Sequence, residues 1–119
     1  MSVPIGTLTD EYRAELLSFF GELLGWTEIE GLRLPDRLTI LVGHNDYINL
    51  RERPSPTVYS DYEHFGIVME SIDEADALWD RLNHDLRDVH LEPNTKDLGF
   101  RSFRFRYLLP LAIEVQAFP

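Results

Sequence analysis

The chain has 119 residues, 44% of them hydrophobic and 12% aromatic, which provides for one domain with a core and argues against disorder. Its formal net charge is −10, from 21 acidic and 11 basic residues, so it lacks the basic footprint that nucleic-acid phosphates require. Cysteine is absent, which excludes disulfides, thiolate zinc clusters and thiol catalysis, and no apolar run approaches the ~18 residues of a membrane span.

A short strand is expected over Val3–Leu8. Tyr12, Leu16, Phe19, Phe20, Leu23 and Leu24 then recur at helical spacing. Asp10 and Glu11 suit the positive end of that helix, Thr9 or Asp10 caps it, and Gly25 ends it. Three strands follow, Thr27–Leu34, Leu38–Val42 and Tyr47–Arg51, separated by Pro35-Asp36 and by the turn Gly43-His44-Asn45-Asp46. Arg53-Pro54-Ser55-Pro56-Thr57 cannot continue a central strand and reads as a link.

The plan then repeats. His64–Met69 is a strand, Ser71 and Glu74 have capping-box spacing, and Ala75, Leu78, Trp79 and Leu82 follow at helical spacing. Strands are expected at Val89–Glu92, Arg101–Leu108 and Leu111–Phe118. The chain therefore reads as a single α+β domain over residues 1–119. Module 1 covers about residues 1–53, the link 53–57, and module 2 about 58–119. Val3 lies seven residues before Asp10 and His64 seven before Ser71, which matches Val3 to His64.

Phe19-Phe20-Gly21-Glu22-Leu23-Leu24-Gly25-Trp26, His64-Phe65-Gly66-Ile67-Val68, and the run from Gly99 to Arg106 ending in Ile113-Glu114-Val115 together resemble the vicinal-oxygen-chelate superfamily. This is the group of glyoxalase I, the extradiol dioxygenases, and the bleomycin and fosfomycin resistance proteins. The resemblance implies two βαβββ modules whose curved mixed sheets form a cleft, and assembly as a homodimer. It also implies metal ligands on the first and last strands of the modules, where His64 and Glu114 are suitable, Val3 cannot bind a metal, and the amide oxygen of Asn49 serves at most a hard ion such as magnesium or calcium weakly. Where family members carry Asp-Pro-x-Gly in the final turn, this chain has Tyr107-Leu108-Leu109-Pro110. Leu108 and Leu109 would be costly to leave exposed there and are expected to meet another surface, a dimer contact or cleft wall.

Period-two alternation puts Phe103, Phe105, Ile113 and Val115 on a core face and Arg104 opposite Glu114 on the other. A guanidinium there competes with a metal for the carboxylate. Tyr47 is in step with Asn49 on its strand, so the expected ligand-binding set is Tyr47, Asn49, His64, Arg104 and Glu114, with His64 and Glu114 as the only metal candidates. His44 is expected in a turn and His84 at a helix end, and Asp61, Glu63, Glu92 and Asp97 read first as exposed loop carboxylates, with an acidic cleft rim as the alternative. No serine has an elbow or base motif.

Whether the chain is an enzyme stays open. One reading is a metal-independent binding protein that needs no cofactor and holds a small organic molecule, cationic in view of the acidic charge. The other is a lyase, isomerase or dioxygenase using a divalent metal on His64 and Glu114. Residues Met1–Ile5 carry neither the basic nor the apolar region of a secretion signal, so a cytoplasmic setting is expected, with no membrane and no nucleic-acid partner.

Overall fold

The computed structural model describes residues 1–43, 46–53, 59 and 63–119. Of the sequence features, His44, Asn45, the link residues after Arg53, Ser60 and Asp61 lie outside the described residues. The chain divides into two compact units, Met1–Val58 and Tyr59–Pro119. Among the described residues no helix is long and apolar enough to cross a membrane.

In the first unit, β1 (Ser2–Ile5) leads into α1 (Asp10–Leu24), followed by β2 (Thr27–Glu28), β3 (Arg37–Leu41) and β4 (Tyr47–Glu52). The strand order is β1-β4-β3-β2, with β1 parallel to β4 and the other pairs antiparallel. Thr9 is the N-cap, its Oγ1 accepting the Tyr12 N–H at 3.0 Å, and Gly25 ends the helix at φ 70°. That left-handed conformation is the reason for a glycine there. Leu16, Phe19 and Phe20 are fully buried, as are Val3, Ile5, Leu38 and Leu50, while Trp26 stacks on Phe20 at 5.1 Å.

Two expectations fail in this unit. The strand expected over Thr27–Leu34 stops at Glu28, and Glu30–Leu32 forms a 3-10 turn instead. The guanidinium of Arg13 donates to the carbonyl oxygens of Leu34 (2.7 Å) and Arg37 (3.4 Å), drawing this loop toward α1 and off the line of β2. Leu32 and Leu34, counted as strand residues by their apolar character, are exposed. The second failure concerns Val3. It is 1% exposed and belongs to the core, whereas Ser2 pairs with Asn49 and shares its face. With Thr9 as the cap, seven residues back is Ser2, whereas the sheet register sets Ser2 beside Asn49 as Gly66 is set beside Glu114.

The second unit has β5 (His64–Val68), α2 (Ile72–Asn83), β6 (His90–Leu91), β7 (Arg101–Arg106) and β8 (Ala112–Ala117). Its order, β5-β8-β7-β6, repeats the first, with β5 parallel to β8. Ser71 Oγ accepts the Glu74 N–H at 3.1 Å and starts α2. Ala75, Leu78 and Leu82 are buried, as are Phe103, Phe105, Ile113, Val115 and Ala117. Together the two units form two four-stranded mixed sheets with two helices, the α+β class expected.

In the turn between β7 and β8, Leu109 is buried and Leu108 is partly covered. Leu108 has φ 64°, and the Leu109 N–H donates to the Tyr107 carbonyl at 2.8 Å, a γ-turn of the strained, positive-φ kind. Burying Leu109 offsets the strain that an Asp-Pro-x-Gly turn would avoid.

Three carboxylates make the fold acid-sensitive. Hydrogen bonds from Arg33, aided by the charges of Arg33 and Arg13, hold Glu28 below its ordinary value of 4.5 against the upward push of burial. Burial pushes Asp76 up, but hydrogen bonds from Arg101 and Asn94 outweigh it and hold the group below 3.8. The Arg87 side chain and backbone N–H do the same for Asp85. Each group binds a proton more readily unfolded than folded, so stability rises with pH through this range. We expect the urea midpoint to be level down to the unfolded carboxylate values and to fall steadily as pH drops below them. A midpoint unchanged at pH 3 would contradict this.

Candidate functional site

The face of the second sheet turned away from the buried Phe103, Phe105, Ile113 and Val115 carries Ser102, Arg104 and Arg106 on β7 and Ala112, Glu114 and Gln116 on β8. Arg104 stands directly opposite Glu114, as the alternation predicts. Gly66 flanks Glu114 on its other side and His64 pairs with Ala112, one step along the same face. Because Gly66 has no side chain, the imidazole of His64 reaches diagonally to the carboxylate, with Nε2 2.9 Å from Oε2.

Glu114 is the centre of this cluster. Ser102 Oγ donates to Oε1 at 3.2 Å. Arg104 Nε lies 3.8 Å from the same oxygen, an ion pair too long for a hydrogen bond. The side chains of His64, Glu114 and Arg104 are 30%, 20% and 29% exposed, so the cluster is partly covered and reachable from solvent.

Beside it lies a depression of about 440 Å³, lined by His90, Glu92, Arg104, Phe105, Arg106 and Ala112. That is within the range of small-molecule sites. Its shape has a local cause. Ala112 is small and stands among long neighbours, with His64 as its register partner and Arg106 next in line after the Phe105–Ile113 pair. His90 pairs with Arg106 across β6 and β7. The Glu92 backbone is fixed twice, its N–H donating to Arg104 O at 2.9 Å and its O accepting from Trp79 Nε1 at 2.9 Å.

Of the expected residues, the structure brings His64, Arg104 and Glu114 together. In the first unit, Tyr47 and Asn49 share one face of β4, Tyr47 exposed and Asn49 partly covered. There Asn49 Oδ1 accepts from Thr39 Oγ1 at 2.6 Å. His84 serves the end of α2, its Nδ1 2.7 Å from Asp80 O. Sequence reasoning missed Arg106 and left the face of His90 unassigned. Arg106 was within reach, since it lies two residues beyond Arg104 on the same alternating strand.

A divalent ion needs three or four donors of suitable type in one place. The second unit offers His64 and Glu114, already in contact with each other, with a guanidinium beside them. Among the described residues no group of three or more His, Cys, Asp or Glu side chains gathers as a metal site. The Asn49 oxygen, the hard-ion candidate of the first unit, is engaged by Thr39. The described donor sets do not by themselves fit a divalent metal.

The two-sheet arrangement is a glyoxalase-like fold. The chain is similar to the genomically encoded fosfomycin resistance protein FosX from Listeria monocytogenes (TM-score 0.73, 18% identity, covering 100% of this chain and 90% of that one). It is similar to a glyoxylase/bleomycin resistance protein/dioxygenase domain from Frankia sp. EAN1pec (TM-score 0.72, 18% identity, 100% and 94% covered). A possible glyoxalase from Bacillus cereus is a third (TM-score 0.71, 20% identity, 97% and 93% covered). At these identities the likeness establishes the fold. A mutant of the Listeria protein has been seen complexed with Mn(II) and 1S,2S-dihydroxypropylphosphonic acid. No protein-family model matches the chain, and no curated protein does.

Proposed function

We propose that the chain is a metal-independent, small-molecule-binding protein of the glyoxalase/bleomycin-resistance type, using the open face of its second sheet. The observation that carries this is the state of Glu114. His64 and Arg104 lie against it and Ser102 hydrogen-bonds it, so the carboxylate that would be a metal ligand has protein partners instead. The 440 Å³ depression beside it supplies a place for a ligand. The same reading includes a cytoplasmic homodimer, for which sedimentation velocity should return the mass of two chains, a monomer refuting it.

Binding a ligand to the folded state alone raises the melting temperature in proportion to the logarithm of ligand concentration. We expect at least one member of a broad metabolite and antibiotic panel to raise it equally with and without EDTA. A stoichiometric transition metal in protein purified without chelators would overturn the reading.

A second reading is a divalent-metal lyase, isomerase or dioxygenase. It is favoured by the approach of His64 to Glu114 and by the Mn(II) complex of the Listeria protein. It requires that His64→Ala and Glu114→Ala abolish both metal binding and turnover with the fold intact.

A further inference from the structure

We propose that Asp76 and Trp79 on α2 are positioning residues for the outer wall of the depression. They hold the short segment that carries His90 and Glu92, and so set where those two side chains stand. The inference rests on the small-molecule reading above and names residues that act on that site from behind its lining.

β6 is an edge strand two residues long, with His90 paired to Arg106 and Leu91 to Phe105. Pro93 accounts for its shortness. A proline has no N–H to donate, so the ladder cannot run on through it. The Glu92 N–H still reaches Arg104 O at 2.9 Å, and backbone bonding resumes at Thr95, whose N–H donates to Ser102 O at 2.9 Å. So short a ladder is a weak support for two residues of the lining, His90 and Glu92.

α2 supplies the rest of the hold. Its Ala75, Leu78 and Leu82 are buried in the core. Asp76 and Trp79 stand one residue further on and three apart, so they share one flank of the helix. Their contacts fall on either side of Pro93. Trp79 Nε1 donates to the Glu92 carbonyl at 2.9 Å, and Asp76 Oδ1 accepts from Asn94 Nδ2 at 2.9 Å. The same Asp76 oxygen accepts from Arg101 Nε at 2.9 Å, where β7 begins. One carboxylate therefore ties both ends of the β6–β7 connection to the helix. The side chains of Asp76 and Arg101 are 27% and 19% exposed, so this hold lies at the margin of the core. Its loss should loosen the wall without opening the sheet.

Amide exchange, followed by NMR in the chain without ligand, tests this with Trp79→Phe, Asp76→Ala and Asp76→Asn. The Glu92 amide should exchange about fivefold faster or more in Trp79→Phe and Asp76→Ala, the effect of about one lost hydrogen bond. The amide of Val115, fully buried at the centre of the sheet, should exchange as in the wild type. The ring resonances of His90 should move in the same two variants while those of His64 stay in place. Asp76→Asn keeps an oxygen for Asn94 and should return the Glu92 amide most of the way to the wild-type rate. Equal acceleration at Glu92 and Val115 would mean a contribution to overall stability alone and would overturn the proposal. Unchanged exchange at Glu92 would overturn it too, by showing that the sheet holds β6 unaided. Because no ligand is needed, either failure leaves the binding-protein reading standing, and that reading falls separately if the metabolite panel is silent.

Discussion

Replacing Arg13 by Met should destabilise the chain by about 3 kcal/mol, measured as a lower urea midpoint at unchanged slope. Arg13 projects from α1 with a side chain only 10% exposed, and its guanidinium meets Glu28 Oε1 at 3.3 Å and two loop carbonyls. Glu28 is itself 7% exposed. Removing one partner of a buried pair leaves the other desolvated and uncompensated, which costs about 3–5 kcal/mol. The low end applies because Arg33, 53% exposed, still pairs with Glu28 from the outer side. The double variant Arg13→Met with Glu28→Gln should recover part of the loss, since the stranded charge is gone. A loss below about 1 kcal/mol in the single variant would show that Arg33 alone satisfies Glu28.

The same arginine explains why the fold was legible in some places and not in others. Both helices could be read locally, because their caps, their acidic first turns and their apolar spacing all lie within one stretch of chain. Thr9, Gly25 and Ser71 all act as their positions suggest. The course of residues 29–34 could not be read that way. Apolar residues there favour a strand, but the contact that decides the path comes from Arg13, more than twenty residues earlier. The error at Val3 was smaller in sequence and larger in consequence. Counting from Asp10 instead of Thr9 shifted the match by one residue, and a one-residue shift in a strand exchanges the two faces.

The site divides in the same way. Arg104 against Glu114 followed from period-two alternation and a tight hairpin, both local properties, and the register agrees. The approach of His64 to Glu114 depends on a parallel pairing between strands separated by a helix and two other strands, which alternation does not fix. His90 sits in a strand of two residues, too short to show a period, so only its pairing with Arg106 reveals its face. The charge of the pocket was obscured by the charge of the chain: a net −10 describes the whole surface, not the lining of one depression.

Glu114→Gln separates the two functional readings. The substitution keeps the shape of the side chain and an oxygen to accept from Ser102, and it removes the negative charge beside His64 and Arg104. In the metal-free reading the carboxylate belongs to a network of protein partners. Partly exposed ion pairs of this kind are worth up to about 1 kcal/mol, so the variant should lose no more stability than that and should keep, in EDTA, the thermal shift produced by a panel compound that stabilises the wild type. In the metal-dependent reading Glu114 is a ligand to the ion. A neutral amide there would weaken metal binding and abolish whatever the metal supports. A ligand-induced thermal shift that needs added divalent metal and is lost in Glu114→Gln would sink the metal-free account of the site.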